Sequence, residues 1–352
     1  MKKYFEKEDA RFASLLEKLE GERVAIVGHV RPDGDCIGAE LALCRILRAR
    51  GIDAVCVNHH AVPYNLKKFV RDTPFFHEDD FVNDGRIAVA VDCGSLSRLG
   101  KSLMEKSFPN GVFASIDHHE TNEFYAAENI VVPNAAATCH ILAGLCLDLG
   151  IAIDAPLAEA LYVGIATDTG QFEYSTTTAD VMEIVAELVR RGASPADISH
   201  ELYEREKFSK LALLQRYLAT AELLADGKVA VAWIPKDAFA STGTTREDAE
   251  NFVNYLRNID GVKIACQLEQ SHTGVKGSLR GVADEFRVDL LAQKLNGGGH
   301  IRAAGFNLDG ADIDRDREKI IAVVLAHLRE CEASSQNGQI YASGAEFSVL
   351  EN

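Results

Sequence analysis

The chain has 352 residues, 47% of them hydrophobic, and a formal net charge of −16. That length accommodates two domains with real cores, and the acidic balance excludes a basic track along a nucleic-acid duplex. The first twenty residues are charged throughout and no stretch approaches the roughly 20 apolar residues of a membrane span, so a cytoplasmic protein without signal or membrane helix is expected.

In chain order, residues 4–20 place Phe5, Phe12, Leu15, Leu16 and Leu19 at helical spacing. A strand is expected over Val24–Val27, a polar loop over Gly28–Asp35, a helix over Cys36–Arg50 stopped by Gly51, and a strand over Ile52–Val57. Ile87–Val91 and Val112–Ile116 read as strands that end at Asp92 and Asp117, and Ala136–Leu149 and Ala155–Ala166 read as helices. Strands alternating with helices predict an α/β fold, a parallel sheet with helices on both faces, over residues 1–195. Residues 196–227 read as a helical connector. A smaller α/β domain is expected over 228–332, with strands Val229–Ile234, Val262–Glu269 and Val275–Arg280. Its helices are expected over Thr245–Arg257 and Ile313–Glu332. Residues 333–352 read as a polar tail in which Ile340, Tyr341 and Phe347 are the apolar exceptions. The eight cysteines form no C-x-x-C pair, so buried, reduced thiols are expected, including Cys36 and Cys93.

Chemistry concentrates where apolar runs end. His29, Asp33 and Asp35 follow the first strand within seven residues, with Pro32 and Gly34 favouring a tight turn that also fits a solvated loop. Asp92 ends a second strand, where a helix cap is the plainer role. Asp117-His118-His119 ends a third, and Asp168 ends an apolar helix, against the sign of the helix dipole. In open α/β sheets ligands bind beyond the carboxyl ends of the strands. Mixed carboxylate and imidazole donors suit manganese or a similar divalent ion, with zinc or iron as alternatives, whereas carboxylates alone suit magnesium. Two ions about 3.5–4 Å apart can share a carboxylate and activate one water.

This ordered set, His-x-x-Pro-Asp-x-Asp, Asp, Asp-His-His and a late Asp, resembles the DHH phosphoesterases. Gly297-Gly298-Gly299-His300-Ile301-Arg302-Ala303-Ala304-Gly305 is similar to the signature of the substrate domain associated with that family. The resemblance spans about residues 20–330. It implies one metal site from His29, Asp33 and Asp92 and a second from Asp35, Asp92, His118 and Asp168, with Asp92 bridging. Manganese is the implied ion, with magnesium, cobalt, zinc or iron as substitutes. His119 is implied at the scissile phosphate and Asp117 behind a histidine. Arg98, Ser278, Arg280, Gly297, Gly298, Gly299 and His300 are the implied substrate-binding set. The triple glycine lets backbone amides approach an anion, and Arg280 can clamp a phosphate, although a flexible turn and a surface charge are the plainer readings.

The compact size resembles the branch that degrades very short RNA and dephosphorylates 3′-phosphoadenosine 5′-phosphate (pAp), with substrate held between the domains. The expected partners are short single-stranded oligonucleotides and small nucleotides, not duplex DNA or membranes; a homodimer is compatible with this. The rivals are a phosphodiesterase for cyclic di-AMP or linear pApA, and a nucleotide-binding module without chemistry. A long-strand exonuclease would need an additional OB-type domain, and a family II pyrophosphatase would lack the triple-glycine signature. His59-His60 lies outside the family pattern and reads as a loop or surface pair.

Overall fold

A computed structural model describes residues 2–336. The chain forms two compact units, one running to Arg205 and the other beginning at Glu206. The first contains α1 (Glu6–Lys18), β1 (Arg23–Val27), α2 (Gly34–Ala49), β2 (Asp53–Asn58), α3 (Lys67–Val70), β3 (Phe75–His77), β4 (Ile87–Val91), α4 (Lys101–Ser107), β5 (Val112–Asp117), β6 (Glu128–Val131), α5 (Thr138–Leu149), α6 (Ala155–Asp168), α7 (Ala179–Arg190) and α8 (Pro195–Tyr203). Its strands form one parallel sheet in the order β3-β2-β1-β4-β5-β6.

Strand alternation divides the apolar residues between the two faces. Val24 and Ile26 of β1 join a core with Phe12, Leu41, Ile141, Leu161 and Ile184. Ala25 and Val27 face a smaller core with Leu99, Leu103 and Phe108. Two helices on the larger face approach very closely: a Cβ on Gly34 of α2 would run into Thr167 of α6, and one on Gly164 of α6 would run into Cys139 and the Asp35 carboxylate. That contact seats Asp35 and Asp168 near each other. The strand order reverses direction between β1 and β4, which makes their carboxyl ends the switch point where doubly wound sheets bind ligands.

The second unit contains α9 (Phe208–Leu218), β7 (Glu222–Leu224), β8 (Val229–Ile234), α10 (Ala238–Thr242), α11 (Val253–Arg257), β9 (Ile264–Gln270), β10 (Gly274–Gly281), α12 (Val288–Gln293), β11 (Gly298–His300), β12 (Ala303–Asp309) and α13 (Ile313–Gln336). Its mixed sheet has the order β11-β12-β10-β9-β8-β7, with β8 and β9 parallel and the other pairs antiparallel. Alternation again feeds two cores, Val229 and Val231 on one face and Ala230, Ala232 and Ile234 on the other.

Several elements differ from the sequence expectation. The helix expected over Thr245–Arg257 is broken into a 3₁₀ turn, Glu247–Ala249, and α11, because Asn251 takes a left-handed φ of 66°. Segment 196–227 holds most of α8 in the first unit and α9 with β7 in the second. The final helix runs four residues past Glu332, into the stretch expected as tail. Ile340, Tyr341 and Phe347 lie outside the described residues. The triple glycine, where a flexible turn was the plainer reading, contributes strand β11. All eight cysteines are buried and free, and among the described residues no helix is long and apolar enough to cross a membrane.

Candidate metal centre and phosphate-binding face

The loop after β1 positions two donors at once. Asp33 is the N-cap of α2: its Oδ1 accepts from the amides of Asp35 and Cys36, each at 3.1 Å. Its Oδ2 lies 3.6 Å from His29 Nε2. Asp92 follows β4 with φ 54°, a left-handed conformation that a non-glycine residue adopts at a cost, and such strain concentrates at functional sites. One Asp92 oxygen, Oδ2, is 3.5 Å from His29 Nε2; the other, Oδ1, is 3.5 Å from His118 Nε2. His118 Nε2 is also 3.1 Å from Asp168 Oδ2. Ligand atoms of Asp35, His118 and Asp168 converge within 4.8 Å, as do those of Asp92, His118 and His119. The structure therefore brings His29, Asp33, Asp35, Asp92, His118, His119 and Asp168 to one edge of the first sheet.

Both imidazoles flanking Asp92 are presented in the orientation a metal ligand requires. His29 Nδ1 donates to Val30 O at 3.0 Å and His118 Nδ1 donates to Ala135 O at 3.2 Å. Each Nε2 is then left facing carboxylate oxygens. Without a cation that arrangement stabilises a proton on the ring. Burial alone would lower His29, but Asp33 and Asp92 raise it to about 10. Burial would likewise lower His118, but Asp168, Asp35 and Asp92 raise it to about 10.

The carboxylates report the same surplus of negative charge. Burial, with Asp92 and Asp33 nearby, pushes Asp168 up to about 6 against the pull of His118. Burial, with Asp92 and Asp168, holds Asp35 well above the usual range. Burial would raise Asp33 too, but His29 and the helix amides hold it low. Oxygen and imidazole donors gathered around excess negative charge fit divalent cations. Cys36 Sγ also lies within 4.8 Å of ligand atoms of His29 and Asp92. Burial, with Glu40 and Asp92 nearby, holds its thiol well above the usual range.

His119 differs from this pair in the partner of its Nδ1. Its Nδ1 donates to Asp117 Oδ1 at 2.7 Å. Asp117, fully buried, also accepts from Asn122 Nδ2 at 2.6 Å. Asp117 raises His119, chiefly through that hydrogen bond. Two supports carried no sequence signal of their own. Thr138 and Cys139, at the start of α5, donate backbone amides to the two Asp35 oxygens at 2.6 and 2.9 Å. Thr138 Oγ1 donates to Asp92 Oδ1 at 3.1 Å. The pairing of this helix N-terminus with Asp35 is a tertiary fact, and only the apolar run of α5 hinted that a helix began there.

Arg98 Nη2 lies 3.4 Å from His29 Nδ1. His59 is more than a surface residue: its Nδ1 is 2.8 Å from Glu78 and 3.2 Å from Ser102 Oγ. His60 Nδ1 accepts the Arg31 amide at 3.2 Å, in the loop between His29 and Asp33.

In the second unit, register gathers the remaining candidates. Ser278 pairs with Gly305, which pairs with Gly298; Arg280 pairs with Ala303, which pairs with His300. Residues in one row of a sheet share a face, so Ser278, Arg280, Gly298 and His300 lie on the same side. The residues between them on β12, Ala303 and Gly305, add little bulk. Cβ atoms at Gly297 and Gly299 would collide with the β12 backbone, so glycine is required for this hairpin to close.

Comparison with known proteins follows the same division. Residues 23–165 match the DHH family, N-terminal domain, and residues 226–330 match the DHHA1 domain. A curated Thermus thermophilus protein, the bifunctional oligoribonuclease and PAP phosphatase NrnA, is 33% identical over 90% of this chain and 93% of its own length. The Bacillus subtilis protein of the same name is 26% identical over 81% of this chain and 90% of its own length. The crystal structure of an exopolyphosphatase-related protein from Bacteroides fragilis superposes with a TM-score of 0.83 at 26% identity, covering 94% of this chain and 98% of that one. With these likenesses along nearly its whole length, the chain belongs to the DHH phosphoesterase family.

Proposed function

We propose that this protein is a divalent-metal-dependent phosphoesterase that hydrolyses very short oligoribonucleotides and the 3′-phosphate of pAp; its curated relatives are named bifunctional oligoribonuclease and PAP phosphatase. The carrying observation is Asp92, whose two oxygens face His29 Nε2 and His118 Nε2 at 3.5 Å each. In this reading His29, Asp33 and Asp92 hold one ion, Asp35, Asp92, His118 and Asp168 hold the other, and manganese is the preferred species. When bound, such a pair supplies an activated water and charge stabilisation at phosphorus.

The chain's own groups do the rest. His119, kept protonated to higher pH by Asp117, presents Nε2–H to the leaving oxygen and donates a proton as the ester bond breaks. In the first unit Arg98, beside His29, offers charge to a phosphate oxygen; in the second, Ser278, Arg280, Gly297–Gly299 and His300 offer charge and backbone amides to a phosphate. The acidic surface gives long polymers little to follow, which favours short substrates in the cytoplasm.

The test is turnover of pAp, two- to five-nucleotide RNA and DNA, linear pApA and cyclic di-AMP, each with manganese and again with chelator. Release of phosphate or mononucleotide from pAp and short RNA, abolished by chelator, supports the reading. Preferential turnover of cyclic di-AMP would replace it, and silence on every substrate would leave a binding module.

A further inference from the structure

Directly after Asp168 the chain makes a turn that no assigned role explains. Gly170, Gln171 and Phe172 have φ of 57°, 61° and 70°, three left-handed residues in succession. Two of them carry side chains that disfavour this conformation, so the surrounding structure must impose it. The restraints are visible. Gln171 N donates to Ala166 O at 2.7 Å, Phe172 N to Thr169 Oγ1 at 3.1 Å, and Tyr174 N to Thr169 O at 3.0 Å. Thr169 is itself fully buried, and its hydroxyl donates to Ile165 O at 2.6 Å. Phe172 packs edge-on against Tyr162 with ring centroids 5.8 Å apart.

The product of all this ordering is the placement of Tyr174. Its ring covers Gly170 so closely that a Cβ there would collide with it. One face of the ring is thus occupied by backbone, yet the residue stays 50% exposed. A large aromatic ring backed by the Gly170 turn and left half bare offers a flat surface. Cα170 lies at most about 7.6 Å from Cα168, since consecutive Cα atoms are 3.8 Å apart. The backbone that the ring covers is thus two residues from Asp168, the last residue of α6.

We propose that Tyr174 is a specificity-determining residue that stacks on the nucleobase of the nucleotide being cleaved. The proposal rests on the reading of the Asp168 cluster as a nucleotide phosphoesterase centre. Stacking on an aromatic ring is tolerant of base identity, because every base has a π face. It would select nucleotides over phosphate esters without a base, and it would not select among adenine, guanine, cytosine and uracil.

The test compares pAp with ribose 3′,5′-bisphosphate, which carries the same phosphates and no base. In Tyr174→Ala and Tyr174→Leu the ratio of kcat/KM for pAp to that for the base-free ester falls at least about fivefold, the lower range for one stacked base. The loss lies mainly in KM, and Tyr174→Phe keeps the wild-type ratio. Leucine retains an apolar contact over Gly170, and thermal unfolding of each variant checks that the fold survives. As a readout that needs no turnover, 2-aminopurine riboside 3′,5′-bisphosphate with magnesium is quenched on binding to wild type and Tyr174→Phe but not to Tyr174→Leu. An unchanged ratio with equal quenching in all variants overturns the proposal. An enzyme that turns over neither ester refutes the phosphoesterase reading instead, and the quenching still decides whether Tyr174 meets a base.

Discussion

Asp92 shows how much a single position carries. It must hold a left-handed backbone, accept from Thr138 and offer one oxygen to each side of the centre. Asn is among the few residues that tolerate this backbone and has nearly the same shape, so Asp92→Asn isolates the charge. Turnover of pAp is expected to fall below detection in that variant while the thermal midpoint stays within a few degrees of wild type. Manganese affinity measured by titration calorimetry should drop in parallel; wild-type affinity would remove Asp92 from the centre. Arg280 is expected to act differently, because it lies on β10 of the second unit and not in the carboxylate–imidazole cluster. Arg280→Ala should raise KM for pAp about tenfold or more, the range for loss of a charge-assisted phosphate contact, and leave kcat within about threefold.

At the scale of elements, the decisive contact is between α2 and α6. Their glycines bring the helix that carries Asp35 against the helix that ends at Asp168. Gly164→Ala is expected to destabilise the protein by about 1–3 kcal/mol, the usual range for overpacking, read from urea unfolding. It should also weaken manganese binding, because the added methyl presses on the Asp35 carboxylate. The carboxyl-terminal strand ends β1, β4 and β5 were legible in sequence, since each is an apolar run that stops at a ligand-type residue. The edge strands β3 and β6 were not, being three and four residues long with partly exposed side chains. The hairpin of β11 and β12 was hidden for a different reason. Glycine has no strand propensity, yet here only glycine permits the close backbone approach.

Across the whole molecule, the pH dependence of stability offers a further check. His140 is almost fully buried in the larger core, against Phe5, and its Nδ1 accepts the Ala136 amide at 3.2 Å. Burial holds its pKa down to about 4, below the ordinary 6.5. The folded state therefore favours the neutral ring, and the unfolded chain binds the extra proton between these values. Its contribution is fully present above pH 6.5 and is lost as pH falls to about 4, amounting to about 3 kcal/mol. Denaturant unfolding from pH 7.5 to pH 4 should show wild type losing that much relative to His140→Gln, whose side chain does not titrate here. Parallel curves would place the acid sensitivity elsewhere.

The sequence by itself determined which residue types stand at the strand ends and that two alternating patterns build two units. These follow from local rules: apolar periodicity assigns an element, and a polar break marks where it stops. Only the tertiary structure decided that the start of α5 holds Asp35, that Asn122 braces Asp117, that Asn251 breaks a helix, and that the Tyr174 ring covers Gly170. Those relations join positions whose partners are chosen by packing, and no spacing along the chain encodes which amide or ring will face which carboxylate once helices and sheet close together.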